Sequence, residues 1–160
     1  MLNSINCQQN VIVIPADGLS VYSEKNMPPV GYSAICNTHP STRMGEHWIC
    51  LQVLGKDKLL IFDSLSSGQH LHNEYIRKFR NLFPHLERND GLLQDPFSSS
   101  CGLFCIYFFH YKCNQNMSLK MLIDKKFTDN VILNECQVLQ FISKRYDKKL
   151  YSNFISTCPL

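Results

Sequence analysis

QDPFSSSCGLFCIYFFHY (residues 94–111) sets three serines against a cysteine, then a glycine, then an almost unbroken apolar run. Leu103, Phe104, Ile106, Tyr107, Phe108 and Phe109 leave no polar face. A helix apolar on every side is one surrounded by the rest of its domain. The serines before it are good caps for the orphan N–H groups of a helix start. Cys101 therefore falls at or just inside the N-terminus of a central buried helix. There the positive end of the helix dipole lowers a thiol pKa and favours the thiolate, and free N–H groups can hold an oxyanion. Gly102, without a side chain, would let a substrate backbone come close. The plain alternative is a small buried hydrophobe behind a serine-rich cap.

The rest of the chain supplies elements to surround that helix. With 160 residues, 44% of them hydrophobic, residues 1–160 read as one domain with a real core. NVIVIP (10–15) reads as a short buried strand, and MPPVGYSAIC (27–36) as a break followed by a strand. HWICLQV (47–53) alternates as a strand does, GKDK (55–58) is a polar turn, and LLIFD (59–63) is the returning strand. From residue 71, Leu71, Tyr75, Phe79, Leu82 and Leu86 recur at helical spacing, predicting an amphipathic helix that ends near Pro84, with RNDG (88–91) as a turn. Ile132, Cys136, Leu139, Ile142, Tyr146 and Leu150 form a later helical stripe, with Lys144, Arg145, Lys148 and Lys149 near its end. The class is α+β, with helices packed around a small mixed or mainly antiparallel sheet.

Composition narrows the function classes. No basic stretch precedes an apolar segment at the N-terminus and no run of about 18 apolar residues occurs, so a soluble, intracellular protein without membrane contact is expected. Eight cysteines without a signal segment, with Cys36, Cys50 and Cys105 inside apolar runs, read mostly as reduced buried thiols. A net charge of +3 permits contact with polyanions without marking a dedicated nucleic-acid binder. HLH (70–72) with Cys101 and Cys105 offers metal-ligand atoms, but CxxC pairs and zinc-finger spacing are absent.

A cysteine nucleophile needs a base and a group to hold it. His47 opens one strand of the hairpin and Asp63 closes its neighbour, and the open ends of paired strands lie together. Singly, the histidine reads as structural and the aspartate as a turn former; the pairing is what suggests chemistry. Gln94, seven residues before Cys101, could reach around the loop to donate to an oxyanion, or could be a surface residue.

GEHWICLQV, LLIFDSL and QDPFSSSCGLFCIYFFHY, in that order, resemble the adenain family of viral maturation proteases and, more broadly, the papain-like clan that includes SUMO-specific proteases. NTHPSTRMGEHW (37–48) and the segment 132–155 are similar as well, so the likeness spans roughly residues 30 to 155. The resemblance implies a cysteine endopeptidase with His47 as base, Asp63 as its orienter, Cys101 as nucleophile and Gln94 in the oxyanion hole. It implies that Gly45, Glu46, Trp48 and Gly102 border the substrate. It further implies viral precursor polypeptides of capsid or core as substrates, cut at glycine-containing sites, in the host nucleus or the virion. No cofactor is needed for the chemistry, while DNA or a capsid-derived peptide would activate it. Two departures stand out. Asp63 replaces the family's glutamate, as in the SUMO proteases. The cysteine that would bind the activating peptide is missing, because residues 51–100 contain none. The rival readings are a protease for ubiquitin or SUMO, the clan's acetyltransferase branch, and an inactive relative touching DNA through the basic group at 144–149.

Overall fold

The computed structural model describes residues 11–68, 73–115 and 117–146. Five strands form a single sheet in chain order: β1 (Val11–Ile14), β2 (Ser33–Asn37), β3 (Trp48–Val53), β4 (Lys58–Phe62) and β5 (His85–Arg88). The inner pairs β2/β3 and β3/β4 are antiparallel, whereas β1/β2 and β4/β5 are parallel, so the sheet is mixed. Among the described residues four α-helices, α1 (Glu74–Arg80), α2 (Cys101–Gln115), α3 (Leu119–Lys126) and α4 (Val131–Tyr146), and a short 3-10 helix (Ala16–Val21) accompany the sheet.

The expected alternation of β3 appears as a choice between two cores, not between core and solvent. Cys50, Leu60 and Phe62 enter the core shared with α2, α3 and α4. Ile49, Leu51, Val53, Leu59 and Ile61 enter the core on the opposite face, with Ile76 and Phe79 of α1. Both faces are covered, which is why LLIF reads as a continuous apolar run. Helix α2 is the central element expected from its composition, with Phe104, Cys105, Tyr107 and Phe108 all at most 1% exposed, but it is not surrounded on every side, since Ile106 is 38% exposed. Phe108 stacks on Phe62 with ring centroids 4.4 Å apart. Truncating such a ring to alanine costs about 3–5 kcal/mol, so the base of α2 is firmly seated on the hairpin.

Three expectations are corrected. First, β1 is an edge strand of the described sheet, not a buried one, with Ile12 43% and Val13 66% exposed. Second, the stripe from Leu71 to Leu86 is not one helix. Leu71 lies outside the described residues, Asn73 caps α1 by accepting from the N–H groups of Tyr75 and Ile76, and Leu86 belongs to β5 beyond Pro84. Proline cannot continue a helix, and the segment after it pairs in parallel with β4. Third, the buried face of α4 is Asn134, Val138, Ile142 and Ser143, while Ile132 and Tyr146 are exposed. Asn134 is inside because all of its amide is used: Nδ2 donates to the Leu93 and Thr128 carbonyls, and Oδ1 accepts from the Thr128 N–H. The expectation of mostly reduced thiols holds for the three cysteines that carried it, Cys36, Cys50 and Cys105. Cys36, Cys50, Cys101 and Cys105 are free, whereas Cys113 and Cys136 are disulfide-bonded. Lys148, Lys149 and Leu150, and the HLH stretch, lie outside the described residues.

Candidate active site

The β3/β4 hairpin builds the site. Its ladder pairs Cys50 with Phe62, and extending that register sets His47, just before β3, two residues beyond the partner of Asp63. Diagonal neighbours at this separation are within reach of a ring and a carboxylate. His47 Nε2 lies 2.7 Å from Asp63 Oδ1, and the same oxygen accepts from the Leu65 N–H at 3.0 Å. Asp63 is 3% exposed, and Asn89, at the end of β5, clamps its backbone. Asn89 Oδ1 accepts from the Asp63 N–H at 2.9 Å while Nδ2 donates to the Asp63 carbonyl at 2.8 Å. The carboxylate is thus fixed from two sides before it meets the imidazole.

With Nε2 taken by Asp63, Nδ1 is buried and makes no hydrogen bond, so it is the ring nitrogen left for the thiol of Cys101 at the first turn of α2. Burial alone would lower the His47 pKa, but the Asp63 hydrogen bond and the Cys101 sulfur outweigh it and raise the ring from 6.5 to about 9. Burial alone would raise the Cys101 thiol. Its interactions with the His47 ring and with the backbone N–H groups of Trp48 and Gly102 hold it below the ordinary value instead. An imidazole pushed up and a thiol pushed down favour a thiolate–imidazolium pair near neutrality. Cys36 and Cys50 behave oppositely: burial drives Cys36 up to about 12 and Cys50 well above the ordinary range.

Gln94 is fully buried. Its Oε1 accepts from the Ser64 hydroxyl at 2.7 Å, and its Nε2 donates to the Ser98 carbonyl at 3.0 Å and to the Ser98 hydroxyl at 3.1 Å. The Ser64 carbonyl accepts from the N–H groups of Leu93 and Gln94, so the residue after Asp63 also ties down this loop. The serines expected only as caps run a lateral chain: Ser98 Oγ lies 2.8 Å from Ser100 Oγ, which donates to Glu135 Oε1 at 2.6 Å.

The four residues expected at the substrate differ in placement. Glu46 is highly exposed and, with His39, Arg43, His47, Leu92 and Pro96, lines an open cleft of about 890 Å³ that reaches the His47 ring. Trp48 is half-buried, packs on the core of α2, and faces Gly102, where an added Cβ would sit 3.6 Å from its Cδ1. Gly102 therefore opposes an indole ring. Gly45 is pressed against Asn37, whose amide a Cβ would overlap, so its smallness serves the packing of the loop that delivers His47. Among the described residues no group of three or more His, Cys, Asp or Glu could hold a metal, and no helix is long and apolar enough to cross a membrane.

Sequence reasoning missed Asn89, Ser64, Asn134 and Glu135. Each is a lone polar residue whose importance comes from a partner at least 26 positions away, and local patterning carries no signal of that.

Comparison with known proteins follows the same lines. The chain is 33% identical over 91 residues to the protease of Snake adenovirus serotype 1, covering 49% of this chain and 45% of that one. It is 34% identical over 109 residues to the protease of Ovine adenovirus D serotype 7, covering 58% and 54%. It thus spans about half the length of these relatives. Among solved structures it is similar to ChlaDub1 of Chlamydia trachomatis (TM-score 0.42, 16% identity, 71% of this chain and 49% of that one). It is also similar to an ASFV protease (TM-score 0.40, 12% identity, 82% and 60%). A family model described as adenovirus endoprotease matches residues 25–159, and the chain belongs to that family.

Proposed function

We propose that the protein is a cysteine endopeptidase in which Cys101 is the nucleophile, His47 the general base and acid, Asp63 its orienter and Gln94 an oxyanion-hole donor. The observation that carries this reading is the His47 ring hydrogen-bonded through Nε2 to the Asp63 carboxylate, with the electrostatics of that ring and of the Cys101 thiol at the start of α2 shifting each other. The Cys101 thiolate attacks the scissile carbonyl carbon and the carbonyl π electrons move to oxygen. The backbone N–H of Cys101 and an N–H of Gln94, which rests on the Ser98 oxygens before substrate arrives, stabilise that oxyanion. His47 gives its proton to the leaving amine, and the C–N bond breaks to leave an acyl-enzyme. Water then attacks the thioester as His47 takes its proton, and the acid product departs from the regenerated thiolate.

Membership of the adenovirus endoprotease family supports viral precursor polypeptides as substrates, with action in the virion or the host nucleus. The cleft beside His47 takes an extended segment of chain, cut at glycine-containing sites. DNA is the proposed activator, since residues 51–100 contain no cysteine for a covalently joined peptide.

The test is cleavage of glycine-containing peptides and of a linear ubiquitin or SUMO fusion by the purified chain, with and without DNA. Cleavage of the peptides that is lost in Cys101→Ala supports the reading. Cleavage of the fusions alone would shift the substrate to ubiquitin-like modifiers, and no turnover of either with DNA present would reject it.

A further inference from the structure

Helix α4 holds the loop between Gln94 and Cys101 at both ends. At one end, the Asn134 amide donates to the carbonyl of Leu93, the residue before Gln94, at 3.0 Å. At the other, the adjacent Glu135 accepts at 2.6 Å from Ser100, the residue before Cys101. Counting protons along the chain gives it a direction. A carboxylate only accepts, so the single hydroxyl hydrogen of Ser100 is committed to Glu135. Ser98 must then be the donor across its 2.8 Å contact with Ser100. That leaves the lone pairs of Ser98 Oγ for the Gln94 Nε2–H at 3.1 Å and the Ser100 N–H at 3.3 Å. Ser64 fixes the other side of the amide by donating to Oε1.

We infer that Glu135 is a positioning residue for catalysis: acting through Ser100 and Ser98, it sets the direction of the hydrogen-bond chain that aims the Gln94 amide. This rests on the reading of Gln94 as an oxyanion donor. Without Glu135, the Ser100 hydrogen is free to turn to Ser98, whose own hydrogen would then face the Gln94 N–H. Two donors would oppose each other and the amide would loosen. Glu135 spends Oε1 on Ser100 and its Oε2 makes no hydrogen bond, so neither oxygen binds His47 or the Cys101 thiol and the nucleophile stays intact.

The test compares Glu135→Ala, Glu135→Gln and Gln94→Ala using a fluorogenic peptide with glycine before the scissile bond, alongside alkylation of Cys101 by iodoacetamide, which builds no oxyanion. Glu135→Ala should lower kcat on the order of ten- to a hundredfold, leaving KM and the alkylation rate unchanged. Glu135→Gln, whose carbonyl oxygen still accepts from Ser100, should recover most of that loss. In a Gln94→Ala background Glu135→Ala should add nothing, since both act through one amide. Ser100→Ala cuts the chain in its middle and should give the same split between cleavage and alkylation. Full kcat in Glu135→Ala, parallel loss in both reactions, or additive losses in the double variant would overturn the inference. If Gln94→Ala itself cleaves at the wild-type rate, the oxyanion reading falls. Hydrogen exchange at the Gln94 side-chain amide then judges the geometry alone: faster exchange in Glu135→Ala upholds the aiming, and unchanged exchange refutes it.

Discussion

Replacing Asp63 by asparagine keeps the size of the side chain and an oxygen to accept from His47 Nε2, and removes only the charge. The consequence can be worked from the ring. Burial opposes the imidazolium, yet His47 is raised from 6.5 to about 9, chiefly by Asp63 and then by the Cys101 sulfur. At about 1.36 kcal/mol per pH unit this amounts to roughly 3 kcal/mol favouring the charged ring. With the carboxylate neutralised, burial governs and the ring falls to its ordinary range or lower. The imidazolium share at pH 7.5 then drops from nearly complete to roughly a tenth, and the Cys101 thiolate loses its main counter-charge. The assay is the iodoacetamide alkylation rate of Cys101 across about pH 5 to 10, because only the thiolate reacts. Wild type should reach its plateau below the ordinary thiol pKa. In Asp63→Asn the rate at neutral pH should fall roughly tenfold, and the acid limb should move to higher pH. Stability should follow the same group. A histidine raised in the folded state contributes fully below 6.5 and loses that contribution as pH rises through about 9. Asp63→Asn should therefore unfold at a lower temperature than wild type near pH 6, and the gap should narrow towards about pH 9.5. Superimposable alkylation profiles would refute the ion-pair reasoning.

Three further outcomes follow from the same geometry. Cys101→Ala should abolish turnover with the fold intact, whereas Cys36→Ser should leave alkylatable Cys101 and lower the melting temperature, since it buries a hydroxyl in an apolar core; turnover surviving in Cys101→Ala would move the nucleophile elsewhere. Gln94→Ala should lower kcat on the order of 10²–10³ while alkylation is unaffected, and equal losses in both would mean that Gln94 shapes the fold or the thiol. Asn89→Ala should release the Asp63 backbone at a cost of about 1–3 kcal/mol, seen in chemical denaturation, and shift the alkylation profile in the direction of Asp63→Asn; an unchanged profile would show that Asp63 holds its place without the clamp.

The hairpin and the central helix were legible because their signals are local. An apolar run bounded by polar turns, and serines ahead of Cys101, need no distant partner to be read. The pairing of His47 with Asp63 followed from the hairpin alone, since antiparallel register converts sequence separation into proximity. The failures share one cause. The spacing of Leu86 from Leu82 fits a helix, while parallel pairing of β5 with β4 is a long-range event that leaves no periodic trace. The stripe on α4 was drawn through Ile132 and Tyr146, yet Asn134 is the residue turned inward, because a polar side chain with every hydrogen bond satisfied packs inside as well as an apolar one.

The thiols of this chain show how position decides chemistry when the functional group is constant. Cys50 and Cys101 both lie in the region where β3 meets α2, and both are buried. Cys50 points from the middle of β3 towards the α2 backbone, where its Sγ lies 3.7 Å from the Cys105 carbonyl oxygen. Burial, then the neighbouring Cys105 thiol and the Asp63 charge, keep Cys50 protonated. Cys101 stands at the helix start, where the groups turned towards sulfur are the N–H of Trp48, the N–H of Gly102 and the His47 ring. All of these donate to an anion, and together they overcome the burial that defeats Cys50. The backbone of β3 contributes to both outcomes: its interior buries Cys50 beside Cys105, and its first residue turns a donor towards Cys101. The strand that delivers the base thus also helps ionise the nucleophile. A substitution that shifts the start of β3, such as one that adds a side chain at Gly45 against Asn37, should disturb the base and the thiolate together.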